Sequence, residues 1–513
     1  MTIGRQVGVT SQPRMLVPLI VLYGSVLLLL CCYGAHRAHL AFSCVRYAKR
    51  LARLERAPEL PARLPSVTIQ LPLYNEATVA RRLILATGAM DYPRDLLEIQ
   101  VLDDSTDETV AIARAAVEEL RARGLRAEHV RRPSRRGYKA GALEYGLGRS
   151  SGELVAVFDA DFIPKPDFLR AVVGHFADPR IGMVQTRWDH SNREHSLLTS
   201  VQALMLDGHH LVENRARYAS GCFFNFSGTG GIWRRAAIES AGGWQHDTLT
   251  EDLDLSYRAQ LAGWRFVYRA DVLTPAELPE DMSAFRTQQF RWAKGTVQTA
   301  RKLLRRVLSA DVPLARRVEA AFHLLPHAAY PATVLLTLLL LPALILLPAT
   351  NVETLLVIDV PLCIGATGSL AAFYGMAEKA RGRSVWGAIV RLPALIALGA
   401  GLAPHLRSAV YAGLTGMAGE FVRTPKRGDA RGRYRQVVRL PLPELGLGLI
   451  SAASVVAASQ TGHFLALPFA FLFATGYLGV AGLVMKEQLA AGAVVSPAPL
   501  PAASDVPTIA NAA

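Results

Sequence analysis

An α/β domain with a largely parallel sheet, inserted between membrane-spanning helices, is the architecture this sequence predicts. Two observations carry that expectation. Short apolar runs alternate with amphipathic stretches from Leu64 to Thr274, and long, nearly uncharged runs flank this block on both sides. Of 513 residues, 51% are hydrophobic, and their uneven placement argues against the two or three soluble domains that length alone suggests.

The first apolar run, Met15 to Tyr33, is rich in Leu and Val. About 20 such residues cross a bilayer as a helix. A secretory leader is the alternative, but the run is long and lacks a strong basic start. It also leads into Arg46, Lys49, Arg50, Arg53 and Arg56 where a small-residue cleavage site would stand. Further spans are expected near Leu324 to Leu347, Thr354 to Met376, Leu445 to Ala458 and Phe464 to Met485. Between them, Val385 to Gly419 is apolar but interrupted by Arg391, Pro393, Pro404 and Arg407. With basic clusters on both flanks it reads as interfacial or re-entrant, which leaves five crossings, or seven if it crosses twice.

Charge sets the sidedness. The cluster after the first span, and Arg301, Lys302, Arg305 and Arg306 before the second, put the intervening block in the cytoplasm under the positive-inside rule. Lys379, Arg381 and Arg383, then Lys426, Arg427 and Arg431, return the chain to that side. A plasma membrane, the inner membrane in a bacterium, is the expected location. The formal net charge of +14 fits attraction to anionic lipids. No base-reading motif accompanies it, so no nucleic acid partner is expected. Cys31, Cys32 and Cys44 lack zinc or redox spacing and read as small apolar fillers.

Within the block, Ser66 to Leu71 alternates as a first strand, Glu76 to Ala89 as a helix, and Leu97 to Leu102 as a second strand. Glu108 to Arg123 is amphipathic, Ala127 to Val130 a strand, Lys139 to Leu147 a helix, and Leu154 to Phe158 a strand. Parallel sheets bind ligands beyond the carboxyl ends of their strands. Asp103, Asp104, Asp159 and Asp161 fall at those ends.

Asp103-Asp104 also suits a turn and helix cap, a reading favoured until a second acidic pair follows another strand. In Phe158-Asp159-Ala160-Asp161, two carboxylates one residue apart can converge on a hard cation such as Mg²⁺ or Mn²⁺, whose shell phosphate oxygens complete. Arg135-Arg136-Gly137-Tyr138-Lys139-Ala140-Gly141 leads basic groups into a helix start, where anions bind; Lys139 is the donor-facing choice. Thr250-Glu251-Asp252 opens another helix. Its acids suit a first turn, and Asp252 is preferred over Glu251 and Asp254 as a general base. Gln288, Arg291 and Trp292 share one face of a helix whose amphipathic pattern runs through Leu308, with an interfacial aromatic belt as the competing account.

Together these motifs, closed by Gln288-Gln289-Phe290-Arg291-Trp292, resemble the processive, membrane-integrated inverting glycosyltransferases of family 2, the cellulose synthase-like group. Phe223-Phe224-Asn225-Phe226-Ser227-Gly228-Thr229-Gly230-Gly231-Ile232-Trp233 is similar to that family's acceptor-side loop. Phe421 to Lys426 is similar to its gating loop, and both bring the chain closest to glucomannan and mannan synthase-like enzymes. The resemblance implies a GT-A nucleotide-sugar-binding domain joined to a transmembrane channel. It implies Asp252 as catalytic base, and Asp103, Asp104, Lys139, Asp159, Gln288, Arg291 and Thr424 as nucleotide-sugar contacts. Phe226, Gly228, Thr229 and Trp292 would meet the acceptor, and Asp161 would ligate Mg²⁺ or Mn²⁺. The implied donor is UDP-glucose or GDP-mannose and the acceptor a growing polysaccharide, with export partners possible and membrane lipids around the spans. A non-processive glycolipid synthase of the glucosylceramide type is the alternative.

The corresponding division of the chain is an anchor and basic linker over 1–63, the GT-A domain over 64–283, and interfacial helices over 284–322. A channel region with the gating-like loop 421–428 follows over 323–489, and an Ala/Pro-rich tail over 490–513. Without a long cytoplasmic extension after the last span, cyclic-dinucleotide control of the cellulose synthase kind is not expected.

Overall fold

A computed structural model describes residues 12–347, 367–417, 419 and 440–490, with side chains from Val17 onward. Seven strands form one sheet in the order β3-β2-β1-β4-β6-β5-β7. They are β1 (Val67–Leu73), β2 (Leu97–Asp103), β3 (Arg126–Val130), β4 (Leu154–Val157), β5 (Ile181–His190), β6 (Gly231–Arg234) and β7 (Arg265–Ala276). β1 pairs in parallel with β2 and β4, as β2 does with β3 and β5 with β7. β6 alone runs antiparallel, between β4 and β5, so the sheet is largely parallel, as expected, with one reversed strand. The reason lies in Phe223 to Trp233. Its far end pairs as a strand, although its glycines disguise the alternation.

Period-two alternation divides the core. Val67, Ile69, Leu71 and Leu73 point to one face, under the helices Ala80–Gly88 and Thr109–Ala122. Val155, Val157 and Trp233 point to the other, with Leu143 of the helix Tyr138–Leu147. The expected helix from Glu76 begins four residues later, because Asn75 adopts φ 56° and its N–H donates to Ser105 Oγ at 2.8 Å.

Among the described residues, five helices are long and apolar enough to cross a membrane: Val17–Arg46, Pro326–Leu346, Val385–Thr415, Leu442–Thr461 and Leu467–Ala490. Four match expected spans. The span from Thr354 lies largely outside the described residues, and so do Thr424 and the loop 421–428. Val385–Thr415 corrects the expectation of an interfacial or re-entrant segment: it is one continuous helix of 31 residues with Pro393 and Pro404 inside it. That length rises about 46 Å, enough to span. Its charge is also accommodated, since Arg391 donates to Gly387 O at 3.0 Å and lies 3.9 Å from the buried Glu378.

Small residues let this helix cross Leu467–Ala490 closely, as is common between apolar helices. A Cβ on Gly476 would fall 2.1 Å from Ala397 O, and one on Gly401 would fall 2.3 Å from Gly476 O. No side-chain movement relieves a clash with backbone. Gly476→Leu is therefore expected to abolish recovery of monodisperse protein in detergent, whereas Gly479→Leu, which meets nothing within 4 Å, leaves recovery unchanged. Size-exclusion profiles of the two variants check this.

Candidate active site

The carboxyl ends of β1, β2 and β4 open on a cavity of about 180 Å³. Asp104, Lys139, Asp159, Asp161 and Gly228 line it. From the other side come Asp252, Gln288, Arg291 and Trp292. Residues from six separate stretches thus meet at one place, as their positions after strands and at helix starts suggest. Asp103, Phe226 and Thr229 do not line it.

Asp103 stands behind the cavity. Its carboxylate accepts from Ser105 N at 2.8 Å and pairs with His129 Nε2 at 2.7 Å. Burial pushes its pKa up, but the bonds from His129 and Ser105 outweigh burial and hold it below the usual carboxylate range. The turn-forming reading of this pair therefore describes Asp103 well. Asp104 faces the cavity, gripped by Arg132 through Nε at 2.7 Å and Nη2 at 2.5 Å. Arg132 also donates to Arg136 O and Tyr138 O, each at 2.7 Å, so one guanidinium joins Asp104 to the basic turn. In that turn Arg135 stacks on Tyr74, 3.3 Å from the ring centre.

Phe226 is fully buried against Trp233, and Thr229 is buried with its Oγ1 accepting from Asp159 N at 2.9 Å. Both shape the site from below. Between them Gly228 turns the chain at φ 84°, and a Cβ there would reach to 3.0 Å of Asp252 Oδ2. Only glycine meets both conditions without strain.

Lys139 is the centre of the charge. Its Nζ donates to Asp159 Oδ1 and, at 3.0 Å, to Gly228 O, with Glu251 at 3.9 Å. Burial alone would lower its pKa, but Asp159 and Glu251 overcome that and raise it. Glu251 is itself buried, and burial holds its pKa above the usual range against the pull of Lys139. Asp252 follows the same cause: burial, then the neighbouring Glu251 charge, push it up to about 7. Asp254 plays a different part. It is fully buried, pairs with Arg258 at 2.8 Å and Lys302 at 3.0 Å, and pins the helix Glu251–Leu261.

The helix Met282–Leu308 closes the cavity. Burial lowers the Arg291 pKa, and the surrounding Glu251, Asp159, Asp252 and Asp161 charges oppose that fall. Trp292 lies 6.5 Å from Trp188, which in turn contacts Phe162 at 5.2 Å, and an aromatic wall results. The apolar helices hold this element from outside the α/β domain. Glu487 accepts from Met282 N at 2.6 Å and Ser283 N at 2.9 Å, and Glu444 pairs with Arg286 at 2.7 Å.

Sequence reasoning missed Trp188 and Arg132, and set Glu251 aside in favour of Asp252. Trp188 had a signal, since it lies within the alternating run Val184 to His190 that forms the second part of β5. Arg132 had none, because its target is set by a fold-level contact 28 residues away.

A divalent cation fits the donor chemistry. Asp159 and Asp161 both line the cavity with hard oxygen donors, and Lys139 already engages Asp159. Among the described residues no group of three or more His, Cys, Asp or Glu could hold a metal ion.

An α/β sheet with acids at its strand ends, roofed by a helix that apolar spans hold in place, defines a membrane-coupled GT-A fold. The mannosyltransferase PcManGT from Pyrobaculum calidifontis, solved in complex with GDP-Man and Mn²⁺, superposes with a TM-score of 0.51. The match covers 75% of this chain and 99% of that one at 24% identity, and concerns the fold. Residues 65–295 match the family described as glycosyltransferase like family 2. Glucomannan 4-beta-mannosyltransferase 9 of Arabidopsis thaliana is 33% identical over 407 residues, covering 75% of this chain and 74% of that protein. Glucomannan 4-beta-mannosyltransferase 1 of Cyamopsis tetragonoloba is 36% identical over 329 residues, 62% of each chain. The chain belongs to glycosyltransferase family 2 and is related to these plant proteins. It spans 62% of the Cyamopsis protein, and 44% and 47% of two further relatives from Oryza sativa and Arabidopsis thaliana. With its apolar helices it is a multi-pass membrane protein.

Proposed function

We propose that the protein is an inverting β-glycosyltransferase that moves a hexose from a nucleotide sugar to a growing polysaccharide, with coupled export. The observation that carries the proposal is the meeting of Asp252, Lys139, Asp159, Asp161 and Arg291 around one cavity beside membrane helices. GDP-mannose and UDP-glucose are the favoured donors. The first is supported by the relatives' printed activities as glucomannan 4-beta-mannosyltransferases, which also favour a β-1,4 product.

In this reading Asp252 takes the proton of the acceptor hydroxyl as that oxygen attacks the anomeric carbon. The bond to the nucleoside diphosphate breaks on the opposite side, and an α-linked donor gives a β-linkage. Lys139 and Arg291 face the developing negative charge on the leaving group. Asp161, with Asp159 beside it, would hold Mg²⁺ or Mn²⁺, which supplies further charge stabilisation to a diphosphate. Asp104 and the Arg135–Tyr74 stack border the same cavity on its outer side, where the nucleotide would sit. Trp292 and Trp188 offer flat faces to an acceptor sugar.

Orientation follows from charge. Arg381 bonds Asp189 of β5 at 3.0 Å and Asp207 at 3.1 Å, so the basic cluster around it lies on the side of the α/β domain. Basic flanks favour the cytoplasm.

A base must be ionised, so turnover is expected to rise with pH through a midpoint near 7, the Asp252 value. Stability moves oppositely. The folded-state pKa exceeds the ordinary 3.8, so between the two values the native state binds more protons than the unfolded state. Stability therefore falls as pH rises from about 4 to 7. A pH–rate profile that is flat from pH 6 to 8 would remove Asp252 as the titrating base.

The direct test uses nanodisc-held protein, Mn²⁺ or Mg²⁺, and a panel of radiolabelled nucleotide sugars. A long β-linked polymer from one donor supports the proposal and names the substrate. A single-sugar lipid product replaces it with glycolipid synthesis.

A further inference from the structure

Gln298 lies fully buried on the helix Met282–Leu308, two turns beyond Arg291, and its two ends serve different parts of the molecule. Its Oε1 accepts from the backbone N–H of Leu249 at 3.0 Å. Its Nε2 donates to the carbonyl of Gly416, at the end of the apolar helix Val385–Thr415, also at 3.0 Å. A backbone N–H can only donate and a backbone carbonyl can only accept, so the amide orientation follows from its partners. No carboxylate, hydrocarbon or ammonium satisfies both ends.

The surroundings amplify this link. Leu249 lines the cavity and precedes Thr250, Glu251 and Asp252 by one to three residues. A Cβ on Gly295 would fall 2.6 Å from Thr250 Cγ2 and 2.9 Å from Thr250 N, so the segment is pressed onto the helix without slack. Thr250 Oγ1 also meets Thr299 Oγ1 at 3.1 Å. On the opposite flank a Cβ on Gly413 would fall 2.8 Å from both Lys294 O and Val297 Cβ. Arg301 Nη1 donates to Gly413 O at 2.9 Å. The helix is thus wedged between the segment that carries the proposed base and a membrane helix, and the Gln298 side chain hydrogen-bonds to both.

We infer that Gln298 is a positioning residue for sugar transfer, setting the Leu249–Asp252 segment against the membrane helix so that Asp252 stands where the acceptor hydroxyl arrives. This rests on Asp252 as the base. Transfer geometry is sensitive at the scale of one ångström, where misplacement costs about 10²-fold. Arg301 supplies a control, since it joins the same two helices without touching Leu249.

The experiment compares Gln298→Met, Gln298→Asn and Arg301→Ala in nanodiscs, with GDP-mannose and UDP-glucose as donors. Gln298→Met is expected to lower kcat about 10²-fold with the donor KM within about threefold. Gln298→Asn, too short for both partners, is expected to fall between it and wild type, and it carries the test if Gln298→Met does not fold. Arg301→Ala is expected to keep kcat within about threefold. Hydrogen exchange read by mass spectrometry is expected to quicken at the Leu249 amide in both Gln298 variants and not in Arg301→Ala. Equal losses of kcat in the Gln298 and Arg301 variants, or unchanged kcat in Gln298→Met, would overturn the inference. A wild-type protein that transfers no sugar would instead defeat the transferase reading, while the exchange measurement still reports on the Gln298 link.

Discussion

Asp252→Asn is expected to lower sugar transfer by about 10²- to 10⁴-fold, the range for losing a positioned general base. Asparagine keeps the shape and can still accept from Leu253 N, as Asp252 Oδ1 does at 2.8 Å, but it cannot take a proton. Donor affinity is expected to stay within about threefold, because Lys139, Asp159 and Arg291 remain in place. Transfer assays and calorimetric binding of the nucleoside diphosphate check the two halves separately. A parallel collapse of affinity and rate would move Asp252 from base to donor contact. The acid limb of the pH profile should also vanish in this variant. Glu251 is close enough to raise the Asp252 pKa, so its own loss should shift that limb toward lower pH.

Lys139→Met is expected to be the most damaging single change in the cavity. Nζ is the cation that binds Asp159 and Gly228 O and stands 3.9 Å from Glu251. Its removal leaves three carboxylates facing one another in a buried site. Breaking a buried pair on one side costs about 3–5 kcal/mol; Asp159 keeps part of its solvent, which favours the lower end. Transfer and donor binding should both be lost, unlike the Asp252 case. The stability deficit should shrink as pH falls from alkaline values toward about 7, because without Lys139, which holds their pKa values down, Asp252 and Glu251 bind protons at higher pH and then need no counter-charge. Thermal unfolding at pH 5.5 and 8, set against wild type, measures this; a deficit independent of pH would mean that Lys139 acts by packing alone.

Local patterning made much of this protein legible. Period-two alternation marks β1, β2 and β4, and the acids that follow them stand at one end of the sheet because parallel strands share a direction. Gln288, Arg291 and Trp292 line one face because a helix brings residues three and four apart together. Uncharged runs of about 20 residues announce four of the spans. In Val385–Thr415 the same local reasoning gave too much weight to Pro393, Pro404 and Arg391. Packing against a neighbouring helix and a contact with Glu378 accommodate them, and neither is visible in one dimension.

What the sequence by itself determined was the set of elements and the kinds of group at their ends: carboxylates, one lysine, an arginine and a tryptophan, in an order that matches one family. Only the tertiary structure decided which member of each acidic cluster reaches the cavity. Asp104 reaches it while Asp103 pairs with His129, and Asp252 reaches it while Asp254 holds Arg258 and Lys302. Neighbouring carboxylates have the same chemistry, and their roles diverge through burial and through partners such as His129 and Lys302, 26 and 48 residues away. The same holds for the raised Asp252 pKa and for the amide of Gln298. Desolvation and hydrogen-bond direction are properties of a place in space, and that place exists only once the chain has folded around it.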